Sequence, residues 1–267
     1  MNVQELTLTV NGAPMDYIRF GSGAKAFVIL AGMSLGGIRG LGEAIADGYR
    51  IFAEDYTVYA FDRRRELPEN FTAQGMAEDV AGALEQLGVA EADFMGFSLG
   101  GMVAQCLAMD HPELVRAAVL CSTACEPNPT SQENFTLWID AARTGDPAAV
   151  NLAFYRRIWT DQALRQYARL LPSLVNSGKP EQCPGFITLS RACLTFDRAS
   201  ELGKIRCPVL VVGTKEDRVF SGEASVSLAE KLGCELALYE GFGHAVCDEA
   251  PDFKERILRF FRSAGKT

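Results

Sequence analysis

The chain contains no run of eighteen consecutive apolar residues, so no membrane-spanning helix is expected. It contains no basic block longer than "RRR" at 63–65, and 26 Lys and Arg stand against 34 Asp and Glu, a net charge of −8. A surface of that sign repels phosphate backbones, which argues against nucleic acid as a partner. The segment "MNVQELTLTVNGAPMDYIRFG" lacks a basic start followed by a continuous apolar stretch, so it does not read as a secretory signal and a cytoplasmic protein is expected. Internal repeats and low-complexity tracts are missing. So are Cys-x-x-Cys pairs, although there are eight cysteines, which therefore read as buried or half-buried free thiols. Histidine is the scarcest catalytic type, with two in 267 residues, so a histidine base must be His111 or His244.

What is present is an ordinary globular composition, 48% hydrophobic and 22% charged, in a chain long enough for a large core. "VQELTLTV" and "PMDYIRF" alternate apolar and polar residues around "NGA", the signature of a hairpin. Six later runs are short and continuously apolar: "AFVIL", "TVYAF", "ADFMGF", "RAAVLC", "PVLVVG" and "CELALYE". Such runs have no wet face and suit parallel strands covered on both sides. Helical spacing lies between them, as in "GMAEDVAGALEQLG", "LGGMVAQCLAMDHPELV" and "SGEASVSLAEKLG", the last with Ser221 as the expected N-cap. "APDFKERILRFFRS" is a further amphipathic helix. Strands alternating with helices indicate an α/β protein, a mostly parallel sheet in a three-layer sandwich.

One region breaks the alternation. From Pro127 to Leu202 there is no good strand, and helical patterns follow one another: "SQENFTLWIDAARTG", "DPAAVNLAFYRRIW", "DQALRQYARLL" and "PGFITLSRACLTF". The block is far too long for a connecting loop. It is expected to be a helical cap, residues 127–202, on a core domain made of residues 1–126 and 203–267.

The chemistry centres on "FMGFSLGGM", which sets Ser98 between Gly96 and Gly100. Ser98 follows an apolar strand pattern and opens a helical one, the setting of a strained strand-to-helix elbow that exposes a nucleophilic serine. A helix starting at Leu99 aims its free N–H groups and positive end at the same place. Serine needs a base within reach. His111, in "MDHPELV", lies a helix length from Ser98 and is expected only to end that helix. His244 sits in "EGFGHAVCDEAP", a Gly-rich loop after the last strand, where α/β sheets place reacting groups. "PVLVVGTKEDRVF" supplies an orienting carboxylate just past a buried strand, Asp217 in preference to Glu216, with Glu126 after the sixth strand as the remaining place for an acid. For an oxyanion, the backbone N–H of Leu99 and that of Met33, in "ILAGMSLGG" after the third strand, are the candidate donors, with the Ser34 side chain a weaker one.

On "GFSLGG", "VLVVGTKED", "GFGHAVCDEAPDF" and "FDRRR", the chain resembles the α/β-hydrolase superfamily over essentially its whole length. It is most similar to the small cap-bearing members labelled esterases, enol-lactonases or cofactor-free haloperoxidases. The resemblance implies an eight-stranded sheet, a cap between strands six and seven, acyl-enzyme chemistry at Ser98, and no metal or organic cofactor. The chain departs from the family's pattern in three places. Ala31-Gly32 stands where many members have His-Gly, Asp62-Arg63-Arg64-Arg65 where many have Asp-x-Arg-Gly, and the acid follows Gly213 by four positions rather than three.

The expected function is hydrolysis of a small ester or lactone, with Ser98, Asp217 and His244 as the triad. Phe97, Trp138, Phe154, Trp159 and Phe186 are candidates for lining the substrate pocket, with their own cap core as the competing use. Two other readings use the same residues: a C–C bond hydrolase of β-diketone type, mildly disfavoured by Phe97 where such relatives have Asn, and a small-ligand receptor that keeps the triad without turnover.

Overall fold

The computed structural model describes residues 1–264. Eight strands form one sheet: β1 (Gln4–Val10), β2 (Ala13–Gly21), β3 (Lys25–Leu30), β4 (Tyr56–Arg64), β5 (Ala92–Phe97), β6 (Val115–Cys121), β7 (Val209–Thr214) and β8 (Glu235–Tyr239). The spatial order is β1-β2-β4-β3-β5-β6-β7-β8. β1 and β2 are the expected hairpin, and Asn11 and Gly12 have φ of 50° and 78°, the paired left-handed residues of its tight turn. β2 pairs antiparallel with β4, and all strands from β3 to β8 are parallel.

The continuously apolar runs are buried on both faces, as their composition requires. Phe27 and Ile29 of β3 pack into one core with residues of α1 (Gly42–Gly48) and α11 (Phe253–Ser263). Val28 and Leu30 pack into the other with α2 (Ala73–Gln86), α3 (Leu99–Asp110) and α9 (Gly222–Leu232). Period-two alternation along one strand thus divides its side chains between two helical layers. β3 lies between β4 and β5, so the chain winds outward in both directions from this point. The crevice at the carboxyl ends of β3 and β5 is the topological switch point, where this architecture binds ligands.

Among the described residues, five α-helices and no strand lie between β6 and β7: α4 (Pro129–Arg143), α5 (Pro147–Ile158), α6 (Asp161–Gln166), α7 (Leu171–Val175) and α8 (Cys183–Leu194). The two ends of this insertion are tied together, since Arg198 N donates to Cys125 O at 2.9 Å and the Arg198 guanidinium bridges Asp110 and Glu201. α10 (Val246–Glu249) follows the loop that carries His244.

Three local readings change. "DQALRQYARLL" does not form one helix: α6 stops at Gln166 and α7 begins only at Leu171, because Pro172 cannot donate a hydrogen bond to the preceding turn. Ser221 precedes α9 but makes no side-chain cap, having φ of 71°. α1 and the short 3₁₀ turn Arg50–Phe52 lie where the sequence shows no clear helical period. No helix among the described residues is long and apolar enough to cross a membrane.

Candidate active site

Ser98 stands between β5 and α3 with φ 55° and ψ −118°, a conformation that side chains other than glycine rarely adopt. The elbow is held from the end of β6 and the loop after it: Ser98 N donates to Cys121 O at 2.9 Å, and Thr123 Oγ1 donates to Ser98 O at 2.8 Å. The flanking glycines permit close backbone approach rather than flexibility. A Cβ on Gly96 would fall 2.3 Å from Gly100 O, and one on Gly100 would fall 2.0 Å from Leu30 O. α3 therefore starts hard against the end of β3. Gly101 N and Met102 N close on Ser98 O at 2.9 and 3.3 Å, which leaves the Leu99 N–H without an intrahelical partner.

Asp217 and His244 come from the loops after β7 and β8. His244 Nδ1 lies 2.9 Å from Asp217 Oδ2. Because a carboxylate only accepts, Nδ1 is the donor in this contact, and in the neutral imidazole that leaves Nε2 with its lone pair. The second oxygen, Asp217 Oδ1, accepts from Val219 N at 2.7 Å and Phe220 N at 3.1 Å, so the carboxylate is fixed on both sides. The His244 ring sits beside the rings of Phe97 and Phe220, with centroids 5.0 and 5.7 Å away. Ser98, Asp217 and His244 are 3%, 5% and 2% exposed. No hydrogen bond joins Ser98 Oγ to His244 Nε2 in this structure; such contacts commonly tighten only when substrate is bound.

The loop after β3 lies against the elbow. A Cβ on Gly32 would fall 2.8 Å from the Phe97 ring and 3.3 Å from Ser98 Cβ, so this position takes glycine for closeness. The peptide joining Gly32 to the buried Met33 is therefore next to Ser98.

The neighbouring acids have other partners. Glu216 Oε2 accepts from Gly241 N at 2.9 Å and Thr214 Oγ1 at 3.2 Å, fastening the His244 loop rather than its ring. Glu126 pairs with Lys231 on the surface. His111 ends α3 and lies 3.0 Å from Glu78 Oε1, away from Ser98. Of the pocket candidates, Phe97 adjoins His244. Trp138 is buried between Phe135 and Phe154, with centroids 5.2 and 4.9 Å away, and Phe154 continues to Phe186 at 5.9 Å. Trp159 is half-buried and stacks on Tyr155 at 4.8 Å. A cleft of about 1000 Å³ runs between the loop after β3, residues Asp62–Leu67 and α8, with Ser34, Arg63 and Phe186 in its wall.

Sequence reasoning missed the contacts from the insertion. Asn134 of α4 donates through Nδ2 to Arg218 O at 2.6 Å and Val219 O at 3.2 Å, and Asn128 donates to Phe220 O at 2.6 Å. Ala245 N donates to Ile158 O at 3.3 Å. The helices between β6 and β7 thus grip the loops carrying Asp217 and His244. Nothing in a lone Asn at a helical position signals this. The cysteines are free, six of them buried. Among the described residues, no three His, Cys, Asp or Glu side chains are grouped to hold a metal ion.

A strained serine elbow at the switch point, with an Asp–His pair from the last two strand ends, defines a hydrolase of the α/β class. The chain belongs to the α/β-hydrolase fold family, whose model matches residues 25–251. Among curated proteins it is 31% identical over 253 residues to "Putative carbamate hydrolase RutD" of Rhizobium rhizogenes, covering 90% of this chain and 94% of that one. Among solved structures it is similar to the enol-lactonase of Burkholderia xenovorans LB400, with TM-score 0.84, 20% identity, and coverage of 96% and 100% of the two chains. It is also similar to MGS-M2, an α/β-hydrolase from a Medee basin deep-sea metagenome library, with TM-score 0.85, 23% identity and coverage of 98% of each. Those two likenesses speak for the fold.

Proposed function

We propose that the protein is a serine hydrolase that cleaves a small ester or lactone through an acyl-enzyme on Ser98. The observation that carries this is the Asp217–His244 pair at 2.9 Å, buried in the same site as a serine held in a strained elbow. His244 Nε2 takes the Ser98 proton as Oγ attacks the carbonyl carbon, and the carbonyl oxygen becomes an oxyanion. The N–H groups of Leu99 and Met33 face that charge. His244 then gives its proton to the departing oxygen, and water, deprotonated in turn by His244, releases the acid and restores Ser98. Residues 127–202 act as a cap over this site, attached through Asn128, Asn134 and Ile158. Phe97 and Trp159 are the aromatic candidates for contact with substrate, and the protein works on a small molecule without needing a metal or nucleic acid.

A second reading, carbamate hydrolysis, is favoured by the 31% identical relative that bears that name. It uses the same attack on a carbonyl, made harder because the carbamate nitrogen donates electrons to it. Turnover on a panel of short p-nitrophenyl esters, a γ-lactone, an N-alkyl carbamate and a β-diketone separates the possibilities. Hydrolysis of the esters and lactone well above the other two is the expected result. Preference for the carbamate or the diketone would reassign the substrate class, and no turnover on any would favour a receptor.

A further inference from the structure

The arginine run at the end of β4 is the motif that the catalytic scheme leaves unused, and its three members part company in the structure. Arg65 turns to the β-hairpin, where Nη2 donates to Asp16 Oδ1 at 2.7 Å. Arg64 turns to α2, where Nε donates to the buried Asp79 at 2.6 Å. Arg63 turns to the loop after β3. Its Nη1 donates to Gly32 O at 2.8 Å, and Nη2 lies 3.5 Å from Ser34 Oγ. The preceding residue holds the far end of that loop, since Asp62 Oδ2 accepts from Ile38 N at 2.8 Å while Oδ1 accepts from Arg63 N at 2.8 Å. The Arg63 and Asp62 side chains are each 11% exposed.

The carbonyl that Arg63 binds belongs to a particular peptide group. Gly32 C=O and Met33 N–H are two ends of one planar trans unit, so they point in opposite directions. Fixing the oxygen toward Arg63 therefore fixes the direction of the Met33 N–H, in a loop segment where Gly32 lies close to Ser98. A guanidinium on a carbonyl is a charge-assisted hydrogen bond, stronger than a neutral one. It also polarises the amide, so that the N–H at the other end becomes a better donor.

We infer that Arg63 is a positioning residue for the oxyanion site: it orients and polarises the Gly32–Met33 peptide, so that Met33 N–H is aimed at the developing negative charge before substrate arrives. Arg63 does not itself touch the reacting atoms. The inference rests on the serine-hydrolase reading above and adds a residue to it.

The test compares wild type, Arg63→Ala, Arg63→Lys and Arg65→Ala, with Arg65 as a control arginine that binds elsewhere. Losing a well-placed oxyanion donor costs about 10²–10³ in kcat, and a mis-aimed one is expected to cost about tenfold to a hundredfold. In Arg63→Ala, kcat on the best ester should fall by that factor while KM stays within about threefold, the mark of an interaction made only in the transition state. A trifluoromethyl ketone, which adds to serine as a tetrahedral oxyanion, should bind more weakly by the same factor. The matching methyl ketone should not. Guanidinium ion added at millimolar concentration should restore part of the lost kcat in Arg63→Ala and none in wild type. Arg65→Ala should retain kcat. If Arg63→Ala does not fold, Arg63→Lys carries the same comparison, with a smaller loss. Unchanged kcat in a folded Arg63 variant, or equal weakening of both ketones, would overturn the inference. Failure of wild type to react with any serine-directed phosphonate would instead remove the reading on which it rests.

Discussion

Asp217 and Glu216 are adjacent acids that the structure uses in different ways. Asp217 spends one oxygen on two backbone N–H groups and the other on His244, so its carboxylate cannot swing away from the ring. Glu216 holds Gly241 and Thr214, which fixes the height of the loop but leaves the ring alone. Counting three positions on from Gly213 points to Glu216, but it is the shorter Asp217 side chain that lies against the His244 ring. Asp217→Asn offers Nδ1 a donor as readily as an acceptor, so His244 can be held in the wrong tautomer. Its turnover is expected to fall by about 10⁴. Glu216→Gln keeps a carbonyl oxygen that accepts from Gly241 N, and should lose less than about tenfold. Steady-state kinetics on one ester with both variants checks this, and the reverse order would make Glu216 the orienting acid.

At the scale of elements, the strands were more legible than the helices. A continuously apolar run such as "PVLVVG" can be covered only on both faces, and β7 is buried along its whole length. The elbow was legible because its constraint is local: two small residues flank a serine, and the backbone contacts of Gly96 and Gly100 demand them. The division of "DQALRQYARLL" and the failure of Ser221 to cap depend on single backbone positions, which a helical period averages away. The insertion was legible as helices, but its attachment to the Asp217 and His244 loops was not, because Asn134 meets Arg218 across 84 residues of chain. Within the insertion, the two tryptophans now differ. Trp138 is buried among Phe135 and Phe154 and is core. Trp159 is half-buried, and its backbone abuts Gly243 beside His244. Trp138→Ala should cost about 3–5 kcal/mol of stability, read by denaturant unfolding. Trp159→Ala should cost much less and should change the order of rates across ester acyl sizes. A fixed order in Trp159→Ala would place that residue, too, in the structural class.

Across the whole molecule, the proposed site draws on the ends of four strands and a separate helical layer. β3 supplies the Gly32–Met33 peptide, β5 supplies Ser98, β7 and β8 supply the Asp–His pair, and α4 and α5 brace the last two loops. Parallel strands make this possible, since all their carboxyl ends lie on one edge of the sheet. The chain order Ser–Asp–His was legible for the same reason: each residue follows a recognisable apolar run. The bracing of one peptide by Arg63 was not, because a run of three arginines gives no hint that each turns to a different neighbour.

The account stands on Ser98 as the atom that carries the acyl group. The most direct measurement is intact-protein and peptide mass spectrometry of the enzyme quenched during turnover of a slow ester, in wild type and in Ser98→Ala. The account predicts one acyl group per chain on the peptide containing "GFSLGG", and in the variant no adduct and turnover reduced by about 10⁶-fold. An acyl group on another residue, or unreduced turnover by Ser98→Ala, would contradict it.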